Sequence, residues 1–200
     1  EPVEHEAQIR LMEHLHNHSG KRSMLVLRPA DAEETVAAWK MAMEETRPVA
    51  LILSRQNIKS LPALSGRSRR EEAMQAEKGG YVVLENADAK VTLVATGSEV
   101  ATLVEGAELL AEEGIATRVV SIPSEGLFRD QPKEYQEAVL GNFPRYGMTS
   151  GLSINLVNLV GNNGYIHGFD HFGYSAPFKV LDEKFGYNGK CVAEEVKAML

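Results

Sequence analysis

Residues 24–53 have the sequence MLVLRPADAEETVAAWKMAMEETRPVALIL. This stretch begins and ends with short apolar runs, 24–27 and 49–53, which are typical of buried strands. Between them, Asp31 and Glu34 have the spacing of a helix capping box, and apolar residues then recur at three- and four-residue intervals. The sequence therefore predicts a strand, a helix and a second strand that form a parallel crossover unit.

The next segment, residues 54–78, loses this periodicity, and within it residues 62–70 combine proline, glycine and serine with three arginines. It is longer than the usual loop within a domain, so it indicates a linker between two structural units. The three arginines of 62–70, Arg67, Arg69 and Arg70, are expected to be solvated, with contact to a phosphate or a partner as the alternative. Glutamate doublets on the predicted helices, such as Glu33-Glu34, are also expected to be solvated.

Alternating strands and helices resume at about residue 79. Ser98 is placed to cap the longest of these helices, and Gly114 is placed to end it. The predicted strands cover 81–84, 91–95, 117–122 and 165–169, and the predicted helices cover 98–113, 132–140, 154–160, 178–185 and 192–200. The chain is thus expected to be a two-part α/β protein.

The composition excludes several classes of protein. Of 200 residues, 44% are hydrophobic and 24% are charged, as in ordinary globular domains. The single cysteine excludes an internal disulfide, and no apolar run reaches the roughly 18 residues that span a bilayer. No secretory signal is present, so the expected compartment is the cytoplasm and no membrane partner is expected. Residues 79–200 have 9 basic and 16 acidic side chains, which argues against a nucleic-acid partner.

A run of three histidines is a weak candidate for a metal site. His14, His16 and His18 could bind a transition metal through their imidazoles. In a helix, however, only His14 and His18 would share a face, and no carboxylate lies at a clear ligand spacing. A polar helix end is the preferred interpretation.

A possible catalytic triad and the single cysteine are also better explained by structural roles. Asp170, His171 and Ser175 suggest a hydrolase triad, but adjacent side chains do not turn toward each other and the G-x-S-x-G turn is absent. Cys191 has no histidine near it in the sequence, so it is interpreted as an inert thiol.

Arg55 is the main candidate for ligand binding. It follows the apolar strand 49–53, and the end of a strand in a parallel sheet opens toward the crevice where such sheets bind ligands. A planar, permanently charged guanidinium there suits a phosphate or a carboxylate, with a salt bridge or a solvated arginine as alternatives. Gly97-Ser98, at a strand-to-helix turn, could also hold an anion, although a plain helix cap is preferred.

Several segments together resemble the transketolase family, in the order in which that family has them. The resemblance covers nearly the whole chain and is most specific at 51–57. The segments are Glu1-Pro2-Val3-Glu4, Leu27-Arg28-Pro29-Ala30-Asp31, Ala38-Trp39-Lys40, Leu51-Ile52-Leu53-Ser54-Arg55-Gln56-Asn57, Ala95-Thr96-Gly97-Ser98-Glu99-Val100 and Asp170-His171-Phe172-Gly173.

The resemblance implies a division of the chain. Residues 1–60 would be the end of the pyrimidine-binding domain, 61–78 a linker and 79–200 the C-terminal domain. The implied fold is a strand-helix-strand remnant of a parallel-sheet domain followed by a three-layer α/β/α domain. Because the chain opens with Glu1 rather than Met, an upstream piece is expected.

The resemblance also implies an activity for the parent enzyme. Transketolases are homodimers that use thiamine diphosphate and a divalent cation, Mg²⁺ or Ca²⁺, to move a two-carbon ketol unit between sugar phosphates. Arg55 matches the family's substrate-phosphate arginine, and no catalytic, cofactor-binding or metal-binding residue carries over. The family's Gly-Asp-Gly motif for the diphosphate does not occur in this sequence, so no cofactor is expected on this chain alone and it is expected to be inactive.

Two other functional hypotheses remain open. The chain could be a non-catalytic assembly subunit of a split thiamine-diphosphate enzyme, in which a partner chain has the cofactor motif. It could also be a free-standing phosphate-binding domain.

Overall fold

The computed structural model describes residues 4–64 and 66–200. Glu1, Pro2 and Val3, which begin one of the family-like segments, lie outside the described residues, as does Ser65. The first part of the chain contains helix α1 (Glu4–Glu13), strand β1 (Leu25–Leu27), helix α2 (Ala32–Glu44) and strand β2 (Val49–Leu51).

The predicted parallel crossover is confirmed. Strands β1 and β2 pair in parallel, with Leu25 opposite Val49. Asp31 caps α2, because its Oδ1 accepts a hydrogen bond from the Glu34 N–H at 2.9 Å. The Glu34 carboxylate turns back to accept from the Ala30 N–H at 2.8 Å, one residue earlier than in a standard capping box.

Residues 54–78 contain more regular structure than the sequence predicted. They include helix α3 (Arg69–Ala73), followed by a 3₁₀ segment (Met74–Lys78). Ser68 and Glu71 form a complete capping box at the start of α3. The helix is only five residues long, so its apolar residues are too few to show a helical period.

The second part of the chain is built on a five-stranded sheet. Its strands are β3 (Tyr81–Glu85), β4 (Val91–Ala95), β5 (Thr117–Ser121), β6 (Arg145–Met148) and β7 (Tyr165–His167). They lie in the order β3-β5-β4-β6-β7, and every neighbouring pair is parallel except β3 and β5. Strand β6 was not predicted, because Tyr146, Gly147 and Met148 are all buried and show no polar alternation.

Helices cover both faces of this sheet. They are α4 (Glu99–Glu112), α5 (Glu125–Arg129), α6 (Lys133–Leu140), α7 (Val157–Val160), α8 (Phe178–Phe185) and α9 (Gly189–Met199), with a 3₁₀ turn at Ser153–Leu156 before α7. As successive strand residues point to opposite faces, Leu93 packs in a cluster with Leu103 and Val196, whereas Val94 packs in another with Phe128. The three-layer α/β/α arrangement and the α/β fold class are therefore confirmed.

One apolar cluster joins the two parts of the chain. It contains Leu27 of β1 and Ala37 of α2 together with Tyr81, Val83 and Leu93 of the large sheet. The carboxyl ends of β1 and β2 therefore have a fixed position beside the loops that follow β4 and β6. Within the part of the chain that the structure describes, no helix is long and apolar enough to cross a membrane.

Candidate functional site

Arg55 lies just beyond β2, at a bend in the exposed segment that leaves the strand. The strand pairing extends one residue past β2, because the Ile52 N–H donates to the Leu27 carbonyl at 2.8 Å. Among residues 4–64 and 66–200, no group forms a hydrogen bond or ion pair with the Arg55 guanidinium. The N–H donors of this guanidinium are therefore available for a ligand.

A cavity of about 260 Å³ opens at this point. It is lined by Arg55 and its neighbours on one side and by Gly97, Ser98 and Ser150 on the other. The two sides are the carboxyl ends of β2, β4 and β6, which is where open parallel sheets bind ligands. The sequence placed Arg55 at such an edge, and the structure adds that the second sheet supplies the opposite wall.

Arg28 also lines this cavity. Its Nη1 lies 2.8 Å from Oε2 of Glu99, and its Nη2 donates to the Ser150 hydroxyl at 3.0 Å. Nη1 also donates to the Thr96 carbonyl at 2.7 Å. One guanidinium thus connects β1 with the loops that follow β4 and β6. Sequence reasoning gave Arg28 no role beyond its place in one of the family-like segments.

Gly97 makes room for this arginine. Its φ is +67°, in the left-handed region that favours glycine. A Cβ at this position would lie only 2.8 Å from the Arg28 Nε. The Gly97 N–H also donates to the Arg28 carbonyl at 3.1 Å, so the two backbones are in direct contact.

Glu99 begins α4 and neutralises Arg28. Burial raises the pKa of this carboxyl, but the charge and hydrogen bonds of Arg28 and the Ser150 hydroxyl outweigh burial, so the net pKa lies below its usual range. The helix N-terminus therefore already has its own anion. Ser98, by contrast, makes no side-chain capping bond, so the prediction that it caps α4 is wrong.

A larger cavity of about 580 Å³ continues from the smaller one. The two share Gln56, Ser98 and Ser150 and form one crevice between the two parts of the chain. Its far wall is aromatic, with Phe169, Tyr174, Phe178, Phe185 and Tyr187. Asp182 also lines this cavity, and burial, followed by the nearby charge of Glu99, raises the pKa of its carboxyl.

A buried polar cluster joins the linker to the start of α2 and to β3. Arg69 donates from Nε to Oδ2 of Asp31 at 2.7 Å and from Nη2 to Oε1 of Glu34 at 3.2 Å. The Tyr81 hydroxyl donates to the same Glu34 oxygen at 2.6 Å, and the Leu61 N–H donates to Asp31. The predictions that Arg69 and Glu34 are solvated are wrong, because folding places these opposite charges together.

The other candidate residues do not assemble a site. Asp170 accepts hydrogen bonds from Ser153, and His171 turns its Nδ1 to the Phe172 carbonyl, so no triad forms. The histidine run lies beyond the end of α1, with His16 and His18 exposed. Among the described residues, this run is not part of any group of three metal-ligating side chains.

Cys191 has a histidine near it in space, although none is near in sequence. His167 and Cys191 lie with Glu195 in one cluster, and their ligand atoms are within 4.8 Å of one another. Burial, followed by the charge of Glu195, raises the pKa of the Cys191 thiol to about 11. The thiol is therefore protonated at neutral pH, which agrees with the prediction that it is not a nucleophile.

Two family models match the chain. Residues 1–60 match the model described as "Transketolase, pyrimidine binding domain", and residues 79–188 match the "Transketolase-like TK C-terminal domain". The transketolase of Geobacillus stearothermophilus is 39% identical over 206 residues, an alignment that covers all of this chain and 29% of that protein. The chain thus spans about three tenths of the length of this curated relative.

Solved structures of transketolases also match the whole length of this chain. A mutant transketolase from Pichia stipitis, in complex with xylulose 5-phosphate, has a TM-score of 0.84 and 30% identity; the match covers 100% of this chain and 27% of that one. A chain described as a split gene transketolase, inactive beta4 tetramer, has a TM-score of 0.72 and 26% identity. The latter match covers 100% of this chain and 62% of that one.

Proposed function

Because the chain belongs to the transketolase family, we propose that it forms the substrate-phosphate side of a transketolase active site, with Arg55 as the residue that binds the phosphate. The complete enzyme transfers a two-carbon ketol unit from a ketose phosphate to an aldose phosphate. It acts in the cytoplasm as a homodimer that requires thiamine diphosphate and a divalent cation. In this proposal residues 1–60, 61–78 and 79–200 are the end of the pyrimidine-binding domain, a linker and the C-terminal domain.

The observation that carries the proposal is the environment of Arg55. Its guanidinium is exposed at the mouth of a cavity, and none of the described residues pairs with it. The neighbouring Arg28, in contrast, is ion-paired with Glu99. An exposed arginine without a partner binds a phosphate through two parallel charge-assisted hydrogen bonds. Fixing the phosphate in this way orients the reacting end of the sugar.

The residues of this chain do not fit the cofactor's diphosphate. The Gly-Asp-Gly motif is absent from the sequence, and the helix N-terminus at the crevice already holds the Glu99 carboxylate. A diphosphate there would have to compete with this carboxylate for the free N–H groups of the helix. Thiamine diphosphate, when bound elsewhere in the enzyme, supplies the electron sink for the reaction. The part played by this chain is to bind and orient the substrate, and alone it is inactive.

A second candidate function is favoured by one similarity. The chain covers 62% of a split gene transketolase chain that is described as an inactive beta4 tetramer. By analogy, this chain would be an assembly subunit that becomes active only when a separate chain provides the cofactor site.

Ketol transfer from xylulose 5-phosphate tests both candidates. We expect no turnover by the 200-residue chain alone, and turnover when it is fused behind the N-terminal remainder of the Geobacillus stearothermophilus transketolase. Activity on simple mixing of the two pieces, without fusion, would favour the assembly-subunit function. A folded fusion that binds thiamine diphosphate but does not turn over would overturn both candidates.

A further inference from the structure

A cluster outside the crevice contains three different metal-ligating side chains. His167 lies at the end of β7, and Cys191 and Glu195 lie four residues apart on one face of α9. An Nδ1 or Nε2 nitrogen of the histidine, the Cys191 Sγ and a Glu195 carboxylate oxygen all lie within 4.8 Å of one another. All three side chains are half-buried. The cluster is independent of Arg55 and of the proposed ketol transfer.

We propose that His167, Cys191 and Glu195 form a binding site for one divalent transition-metal ion, with zinc as the best fit. Nitrogen, thiolate sulfur and carboxylate oxygen are the three ligand types that zinc accepts in proteins. Three protein ligands leave a fourth tetrahedral position for water. Magnesium and calcium require oxygen ligands, so the site differs in chemistry from one for the hard cation that the family's cofactor uses.

The imidazole is already oriented for this role. Its Nε2 lies 2.9 Å from the Phe185 carbonyl oxygen, which can only accept a hydrogen bond, so Nε2 carries a proton. Nδ1 is thereby turned toward Glu195, at 3.0 Å from Oε1 and 3.1 Å from Oε2. Metal-binding histidines in proteins are commonly fixed in this way, with the second ring nitrogen donating to a carbonyl or carboxylate.

Two tyrosines orient the carboxylate. The Tyr146 hydroxyl donates to Oε2 of Glu195 at 2.6 Å, and the Tyr165 hydroxyl donates to Oε1 at 3.2 Å. The two tyrosine rings are stacked, with centroids 5.7 Å apart, so their hydroxyls have a fixed position. Such partners hold a carboxylate ligand in one orientation before the metal arrives.

The spacing of the three ligand atoms is close to what zinc needs. Tetrahedral zinc with these ligands has ligand-to-ligand distances of about 3.3 to 3.6 Å. The nitrogen–oxygen distance is already near this value, and the sulfur has to move by at most ~1.3 Å from the 4.8 Å limit, within reach of a side-chain adjustment. Gly186 leaves room beside the site, since a Cβ there would lie 2.7 Å from the Cys191 sulfur.

The exchange of protons for metal is balanced. Without metal, both ring nitrogens of His167 face acceptors, so the ring is an imidazolium and the sulfur is a thiol. The ion would take the place of the Nδ1 proton and the thiol proton, and both protons leave to solvent. One divalent cation replaces two protons, so the net charge of the cluster does not change and no oxidant or reductant is needed.

Titration of the 200-residue chain with Co²⁺ tests the proposal. We expect one Co²⁺ per chain, a thiolate-to-metal charge-transfer absorption, displacement of Co²⁺ by Zn²⁺ and no competition by Mg²⁺. Cys191→Ser should abolish the absorption and weaken Zn²⁺ binding at least tenfold, and Tyr165→Phe should weaken it by about 10- to 100-fold without removing the absorption. A double variant of the exposed histidine run, His16→Ala with His18→Ala, serves as the control and should bind as the wild type does.

The proposal is overturned if the wild-type chain gives no thiolate absorption, which requires no variant to fold. It is also overturned if Cys191→Ser binds Zn²⁺ as the wild type does, or if binding is lost in the control variant. Thermal unfolding with and without Zn²⁺ shows whether each variant is folded, and it should give a Zn²⁺-dependent rise in Tm only where the cluster is intact.

Discussion

The Arg28 guanidinium and the Glu99 carboxylate form an ion pair, with Nη1 and Oε2 2.8 Å apart, that joins the two parts of the chain. Arg28 follows β1 in the first part, and Glu99 begins α4 in the second. Their side chains are only 12% and 6% exposed. Because the same guanidinium also donates to Thr96 and Ser150, the pair determines how the carboxyl ends of the two sheets face each other.

Arg28→Ala should therefore destabilise the fold. It leaves the buried Glu99 carboxylate without its main counter-charge, and removing one partner of a buried pair costs about 3–5 kcal/mol. Urea unfolding should show this loss in the free energy of unfolding. The double variant Arg28→Ala with Glu99→Gln should lose less free energy of unfolding than Arg28→Ala alone, because the buried charge without a partner is gone.

Lys197→Ala is the matched control for that experiment. It removes an ion pair with Glu113 in which both side chains are well exposed, and such surface pairs contribute only about 0–1 kcal/mol. If Arg28→Ala cost no more than Lys197→Ala, the pair would not hold the two parts together. A double variant as unstable as Arg28→Ala would instead assign the loss to packing.

Gly97→Ala should destabilise the chain more than Gly114→Ala does. Both glycines have positive φ, +67° and +79°, so each variant has to place alanine in the left-handed region at a cost of about 1–2 kcal/mol. A Cβ at Gly114 meets nothing within 4 Å, whereas one at Gly97 would overlap the Arg28 side chain. Thermal or urea unfolding of the two variants measures the difference.

The excess cost at Gly97 should disappear when Arg28 is removed. In an Arg28→Ala background, Gly97→Ala should cost about as much as Gly114→Ala, because the overlapping side chain is absent. An unchanged excess in that background would show that the strain arises elsewhere in the loop.

Arg69→Ala should destabilise the fold far more than Arg70→Ala does. Arg69 is only 10% exposed and donates to the buried carboxylates of Asp31 and Glu34, whereas the next residue, Arg70, is exposed. We expect a loss of about 3–5 kcal/mol in the free energy of unfolding for Arg69→Ala and little change for Arg70→Ala. Equal, small effects would show that the cluster does not fix the linker.

The stability of the chain should depend on pH through Glu34. Burial raises the pKa of this carboxyl above its ordinary 4.5, although its contacts with Tyr81 and Arg69 oppose the shift. A raised pKa means that the folded state holds the proton more tightly than the unfolded state. The contribution of Glu34 to stability is thus fully present below about pH 4.5 and is lost as the pH rises through the raised pKa.

Glu34→Gln removes this titration while retaining an acceptor for the Tyr81 hydroxyl. The free energy of unfolding of the wild type, minus that of Glu34→Gln, should therefore fall as the pH rises above about 4.5. Urea unfolding at several pH values measures this difference. A difference that is flat or rises with pH would contradict the expected direction.

Local signals explain which elements could be predicted. The crossover of β1, α2 and β2 has short apolar runs, the cap at Asp31 and a proline after the helix, all within thirty or so residues. Gly114 ends α4 with a φ of +79° for the same kind of local reason. Strand β6 lacked such a signal, since its buried residues do not alternate with polar ones.

The contacts of the site depend on residues far apart in the sequence. Arg28 reaches partners 68, 71 and 122 positions away, and Arg69 reaches Asp31 at a separation of 38. His167 meets Glu195 only because β7 lies beside α9. No spacing rule covers such distances, so the sequence indicated none of these contacts. Arg55 was different, because the strand that precedes it indicates its position directly.

In the complete enzyme, Arg55→Ala should raise KM for phosphorylated substrates selectively. A charge-assisted hydrogen bond contributes about 1.5–3 kcal/mol, so KM for a ketose phosphate should rise about ten- to a hundredfold, with a much smaller change for the unphosphorylated sugar. Steady-state kinetics with both substrates measures the two ratios. Arg67→Ala removes an exposed arginine that does not line the crevice and should leave both unchanged. Since only a contact with the phosphate distinguishes the two sugars, equal losses for both would exclude this role for Arg55.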